Sequence, residues 1–318
     1  MHNHGITDVP GIKVGHATDA TALTGCTVIL AEAGAVAGVD VRGSAPGTRE
    51  TDLLKPMNLV EKAHGVVLSG GSAFGLDAAS GVMGYLESQK IGFDTGVAFV
   101  PIVPAAVLFD LCVGDATIRP DAAMGIRACQ AASSGPVAEG NVGAGTGATV
   151  GKYLGMDYAM KGGVGTSSLA MGDRIMVGAI AAVNAWGDVY DQSGRIIAGV
   201  RDPQTDLPAG AVSMMKANGA VAGCGFTNTT LAVVATNMKL TKETACKVAQ
   251  MAHDGMARAI SPVHTMVDGD VVFVLSTGNE AGDLNTLGTL AAEVVAEAIR
   301  RGVLQADSIP GIPAARDR

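Results

Sequence analysis

Residues 225–237 read GFTNTTLAVVATN, and the fold turns on how they are read. Leu231, Val233 and Val234 make an apolar, mostly β-branched run, the mark of a strand buried on both faces. Thr227, Asn228, Thr229 and Thr230 crowd its start. One reading is a polar turn whose hydroxyls satisfy nearby backbone groups. The other is chemical. A peptide bond cut just before a threonine leaves an α-amine beside that residue's own hydroxyl, and the amine can serve as its base. The amine's ordinary pKa of about 7.7–8.0 keeps much of it neutral near pH 8. Such a residue belongs at the first position of a strand, where rigid backbone aims the hydroxyl into a cleft. Thr229 and Thr230 both meet that condition, and Asn228 tolerates the unusual backbone angles of a strained turn before them.

The rest of the chain supplies a scaffold of the right size. Its 318 residues suffice for a full core, with only 16% charged residues against 48% apolar ones. A typical soluble domain carries about 25% charge, so the shortfall predicts that subunit contacts cover part of the surface, as in a homo-oligomer. The 44 glycines lie between apolar runs, which implies tight turns and close backbone approach rather than disorder. Strands are expected over Cys26–Leu30, Val66–Leu68, Ile175–Val183, Leu231–Ala235 and Val271–Leu275. Helices are expected over Phe74–Glu87, over Thr241–Ile260 with Thr241 as N-cap, and over Thr286–Arg301 with Asn285 as cap and Gly302 as stop. Residues 135–165 read as a long loop, and such loops in compact chains are usually functional. The tail from Ile309 to Arg318 reads as loose. Without a linker-like charge run, the pattern favours one domain of layered sheets and helices.

Several functions are disfavoured. A net charge of −8 without a basic run argues against nucleic-acid partners. The longest apolar run, Val97–Phe109, holds Pro101 and Pro104 and falls short of the roughly 20 residues of a membrane helix, so it is expected in the core. No basic segment followed by an apolar stretch marks the N-terminus as a signal peptide, and the cytoplasm is the expected location. The five scattered cysteines, Cys26, Cys112, Cys129, Cys224 and Cys246, read as reduced, buried small residues. His2 and His4 are the nearest approach to metal-ligand spacing and lack a third ligand, so no metal is expected. GAGTG (143–147) lacks the strand-turn-helix context of a dinucleotide fingerprint, and no cofactor is expected. VVLSGGSAFGLDAA (66–79) does run from strand to helix, but its glycines are best explained by packing. Ser72 is no nucleophile elbow, since position 74 is Phe.

Five stretches, NTTLAVVATN, GAGTGATVGK, KGGVGTSS, DVRGSAPGTRETDLL and LSGGSAFGLDAA, taken in their order along the chain, resemble the L-aminopeptidase/D-esterase family. That family includes β-peptidyl aminopeptidases and the 6-aminohexanoate-oligomer (nylon oligomer) hydrolases. The resemblance spans about Gly5 to Gly311. It implies a four-layer αββα sandwich of N-terminal-nucleophile type, made as a precursor that cuts itself between Asn228 and Thr229 into chains 1–228 and 229–318. It also implies a tetramer of the cleaved pair. Under it Thr229 is the nucleophile and Thr230 its neighbour on the opposite sheet face. Lys152 falls where the aminopeptidase branch tends to have tyrosine and the nylon-oligomer branch lysine; on sequence alone it is a solvated loop residue. Asn184 matches an asparagine that helps hold the oxyanion, though a buried Asn satisfied by backbone reads the same. Asp268 and Asp270 match a pair that orients the nucleophile's amine, although DGD is otherwise a turn before a strand. The implied substrate is a short amide or peptide whose acyl part carries a free amine, which a carboxylate in the pocket would pair. The fold is also similar to that of ornithine acetyltransferase, which leaves acyl transfer to an amine, or a non-catalytic binding protein, as alternatives.

Overall fold

A computed structural model describes residues 4–218 and 228–318; Thr227, Cys224 and His2 lie outside the described residues. Nine strands share one hydrogen-bonded array: β1 (Lys13–Asp19), β2 (Thr24–Val41), β3 (Gly47–Arg49), β4 (Lys62–Ser69), β5 (Ala105–Val107), β6 (Gly163–Met171), β7 (Ile175–Asn184), β8 (Thr229–Met238) and β9 (Val271–Glu280). Their order is β6-β7-β8-β9-β2-β4-β5-β3, with β1 also on β2. β2 belongs to two sheets. Its first half pairs with β1 and β4, the register slips between Leu30 and Ala35, and its last six residues pair with β9. A bulge of this kind bends a strand and lets one chain segment turn a corner.

Alternation along the strands then sorts side chains into three cores. Ala232, Val234, Val272 and Val274 face α4 (Lys242–Ala259) and α5 (Leu284–Leu304). The alternate residues Leu231, Val233, Val271 and Phe273 meet Ile29, Val66 and Leu108 from the other sheet. Beyond that sheet, Val28 and Val67 pack on α1 (Ala78–Ser88) and α2 (Ala122–Gln130). The layers are therefore helix, sheet, sheet, helix, the αββα sandwich expected from the resemblance.

All five expected strands lie within observed ones. Thr241 caps α4 in a reciprocal capping box with Thr244, as its sequence predicts. α5 departs from expectation at both ends. Its cap is Asp283, whose Oδ1 accepts from the Thr286 N–H at 2.8 Å, and it runs through Gly302 to Leu304. Gly302 serves packing instead: a Cβ there would lie 3.0 Å from Val183 Cγ2, and one on Gly165 would lie 2.2 Å from the Ala298 carbonyl oxygen. Helix and sheet meet backbone to backbone, which only glycine permits. Phe74–Asp77 belongs to a 3₁₀ segment, and α1 starts at Ala78. The tail is not loose: Ala314 is buried, the Pro313 carbonyl accepts from the Lys161 N–H at 2.8 Å, and Arg318 pairs with Asp206. Cys112 is exposed rather than buried, as is Val97 at the start of the expected core run. Among the described residues no helix is long and apolar enough to cross a membrane.

Candidate functional site

Thr229 opens β8, and the period-2 alternation puts its side chain between the two sheets, where it lines a pocket of about 240 Å³. Thr230 points to the helix side, its buried Oγ1 without a partner among the described residues. The Thr229 hydroxyl donates to the carbonyl oxygen of Asn228 at 2.5 Å, and the Gly269 N–H donates to that same oxygen at 2.9 Å. The residue before the strand is thus held with its carbonyl between a hydroxyl and a main-chain donor. Glycine is required at 269, because a Cβ there would lie 2.7 Å from Thr229 Oγ1 and 2.6 Å from the Ala45 carbonyl oxygen.

Sheet pairing brings the next residues in. Asn184, the last residue of β7, lies directly opposite Thr229. Its Oδ1 accepts from Lys152 Nζ at 2.8 Å and from the Thr149 N–H at 3.0 Å, while its Nδ2 donates to the Phe109 carbonyl at 3.1 Å. Lys152 also donates to the Asn184 carbonyl at 3.0 Å. It is a buried side chain, not the solvated loop residue its surroundings in sequence imply. Burial draws its pKa down from 10.5 to about 7, against the upward pull of Cys112, Asp268, Asp110 and Asp270.

The two aspartates precede β9 and are both buried. Asp268 Oδ2 accepts from the Thr265 N–H at 3.0 Å and the Thr265 hydroxyl at 2.5 Å. Its pKa is pushed up to about 6, first by burial and then by the charge of Asp270, with the bonds from Thr265 and Trp186 opposing. Asp270 Oδ1 accepts from the Thr230 N–H at 2.7 Å. The loop after β2 braces the pair from outside, with Ala45 N–H on the Asp268 carbonyl at 2.9 Å and Arg42 N–H on that of Asp270 at 3.0 Å.

All five expected residues, Thr229, Lys152, Asn184, Asp268 and Asp270, therefore surround the start of one strand. The stretches that carry the resemblance meet there too: Ser72 of the glycine turn lines the pocket, and Asp110 ties that turn down by accepting from the Gly71 N–H at 2.7 Å. Apart from Ser72 and Thr229, the pocket's described walls are small or apolar (Ala45, Pro46, Gly47, Ala73, Val107, Leu108, Phe109), and no carboxylate is among them. Sequence reasoning also missed Gly269, Thr149 and Thr265. Only Thr265, three residues before Asp268, leaves a local trace, the spacing of a side-chain-capped turn.

The profile of peptidase family S58 matches residues 4–316. An uncharacterized aminopeptidase of Mycobacterium leprae (strain TN) is 40% identical, over 97% of this chain and 92% of that protein. A 6-aminohexanoate-oligomer endohydrolase of Kocuria sp. (strain KY2) is 31% identical, over 92% of this chain and 84% of that protein. The solved structure of an L-aminopeptidase D-Ala-esterase/amidase from Ochrobactrum anthropi, described as a variant of the Ntn hydrolase fold, superposes with a TM-score of 0.74. It covers 98% of this chain and 91% of that one at 21% identity, so the fold is shared.

Proposed function

Because the chain belongs to peptidase family S58 and is a hydrolase, we propose that it is one αββα unit that cuts itself between Asn228 and Thr229 and then hydrolyses short amides or peptides through Thr229. The observation that carries this reading is the 2.5 Å contact between the Thr229 hydroxyl and the Asn228 carbonyl oxygen, with the Gly269 N–H on the same oxygen. In the cut, Thr229 Oγ1 adds to the Asn228 carbonyl carbon while Gly269 holds the developing oxyanion. The Asn228–Thr229 C–N bond breaks, the hydroxyl proton passes to the departing nitrogen, and water hydrolyses the resulting ester. Residues 1–228 then end in a carboxylate and residues 229–318 begin with a free amine.

In turnover that amine takes the hydroxyl proton as Oγ1 attacks the substrate carbonyl, the leaving amine departs protonated, and water releases the acyl group from Thr229. Lys152 and Asn184, held against each other opposite Thr229, stabilise the oxyanion; Asp268 and Asp270 fix the backbone around the new amine. The small apolar pocket favours a short acyl part. The names of the relatives, aminopeptidase and 6-aminohexanoate-oligomer endohydrolase, support a substrate with a free terminal amine. Low charge and exposed apolar side chains such as Leu59 and Val97 support subunit assembly, which we propose to be a tetramer of cleaved pairs, with the cytoplasm as the proposed location.

Intact mass under denaturing conditions tests the reading. The 31.8 kDa chain should split into pieces of about 23 and 9 kDa, the smaller beginning TTLAVVATN, and Thr229→Ala should stay whole and inactive. An uncut, active Thr229→Ala protein would end the proposal.

A further inference from the structure

His264 touches the site and has no role in the scheme above. Asp270 has two oxygens, and while Oδ1 accepts from the Thr230 N–H, Oδ2 is held among the described residues by His264: its main-chain N–H donates at 3.1 Å and its ring Nδ1 at 2.8 Å. A carboxylate only accepts, so Nδ1 carries the proton. The ring is also held from behind. His253 meets it edge to face with centroids 4.7 Å apart, and His253 Nε2 lies 3.0 Å from the Asp40 carbonyl oxygen, which again requires an N–H donor. The outer nitrogens of both rings, His264 Nε2 and His253 Nδ1, are buried without partners among the described residues. The backbone makes the arrangement costly, because His264 sits at φ 56°, a left-handed conformation that favours glycine and asparagine. A strained residue kept at a site whose neighbours over-determine it points to a role there.

We infer that His264 is a positioning residue: its Nδ1–H fixes one oxygen of Asp270 so that the other holds the Thr230 N–H and, with it, the start of the nucleophile strand. The inference rests on the Thr229 reading and adds a residue to it. Nothing in the ring reaches the pocket, so its effect is on rate rather than on substrate binding.

Two substitutions separate the donor from the backbone. His264→Asn accepts the left-handed conformation and returns a side-chain N–H near the position of Nδ1, whereas His264→Gly accepts the conformation and keeps only the main-chain N–H, with no side-chain donor. Self-cleavage is followed by gel after cell-free synthesis, and kcat and KM are measured on a short amide. We expect His264→Asn within about threefold of wild type in both cleavage rate and kcat, and His264→Gly slower by about tenfold or more in both with KM nearly unchanged. Equal behaviour of the two variants overturns the inference. So does a 15N-histidine spectrum of the wild-type protein showing the His264 proton on Nε2, a measurement that stands even where a variant fails to fold. A wild-type chain that never cuts would instead remove the Thr229 reading, and the inference with it.

Discussion

Lys152 and Lys161 lie nine residues apart and are both buried, and burial pulls each from 10.5 to about 7. Their surroundings separate them. Lys161 Nζ donates to the carbonyls of Gly145, Ala148 and Gly162 at 2.8, 2.9 and 3.1 Å, which uses all three N–H bonds of an ammonium on main chain of the glycine loop. Lys152 Nζ instead holds the side-chain and main-chain oxygens of Asn184, the residue opposite Thr229. A depressed lysine pKa marks burial in both, and only Lys152 is tied to the residue opposite the proposed nucleophile. What a buried charge does is set by whether its partners are fixed backbone or a side chain that itself faces the reacting group.

The contrast can be broken by replacing each lysine with methionine, which keeps the stem and removes the charge. Lys152→Met should lower kcat by about 10²–10³-fold, the range for loss of one oxyanion-side donor, while the melting temperature stays within a few degrees of wild type. A loss of less than tenfold would place Lys152 with Lys161 as structural. Lys161→Met should do the opposite, costing about 3 kcal/mol in denaturant titrations by leaving three buried carbonyls unpartnered, with kcat of the folded protein nearly unchanged.

A pH dependence follows from the titration of Lys161. Between about 7 and 10.5 the unfolded chain carries the proton that the folded chain has lost, so the stability contributed by this group rises with pH. The stability difference between wild type and Lys161→Met should widen by up to about 1.4 kcal/mol per pH unit from pH 7 to 10. A flat difference would show that the three carbonyls keep the ammonium charged. Smallest of all is Thr149→Val. The hydroxyl reaches Asn184 Oδ1 at only 3.4 Å, and the Thr149 N–H at 3.0 Å survives the change. Turnover should stay within about threefold; a larger fall would mean the hydroxyl helps orient Asn184.

How much of this could be read from residues alone differs by scale. The strand beginning at Thr229 and the capped helix α4 were legible because their signals are local: alternating burial in one, a Thr at a helix start in the other. Asp283 as the cap of α5 was equally local and was passed over for Asn285, two residues on. The two lysines were not legible. A lysine in a glycine-rich stretch looks solvated, and only the folding of β7 against residues 145–162 shows that water is excluded. His264 was hidden for the same reason, since its partner Asp270 is close in sequence but its meaning depends on Thr230, far along the chain. The resemblance named five stretches without saying why they belong together, and the structure supplies that reason for four of them, which contribute a wall or a donor around Thr229, while Lys161 of the fifth ties down the glycine loop that carries Lys152.

The order of the strands bears on what self-cleavage would do to folding itself. β8 and β9 sit side by side in the middle of the array, with β7 on one flank and β2 on the other. A cut before Thr229 would put both central strands on one fragment and both flanking strands on the other. The cut pair would stay together, because separation means unzipping two strand interfaces and opening two cores at once. Once apart, however, the fragments would have to find each other in solution and thread a two-strand insert into a gapped sheet. Maturation would thus change the molecularity of folding, from one chain closing on itself to an encounter between two, and the mature protein would hold its shape by slow unfolding rather than by ready refolding.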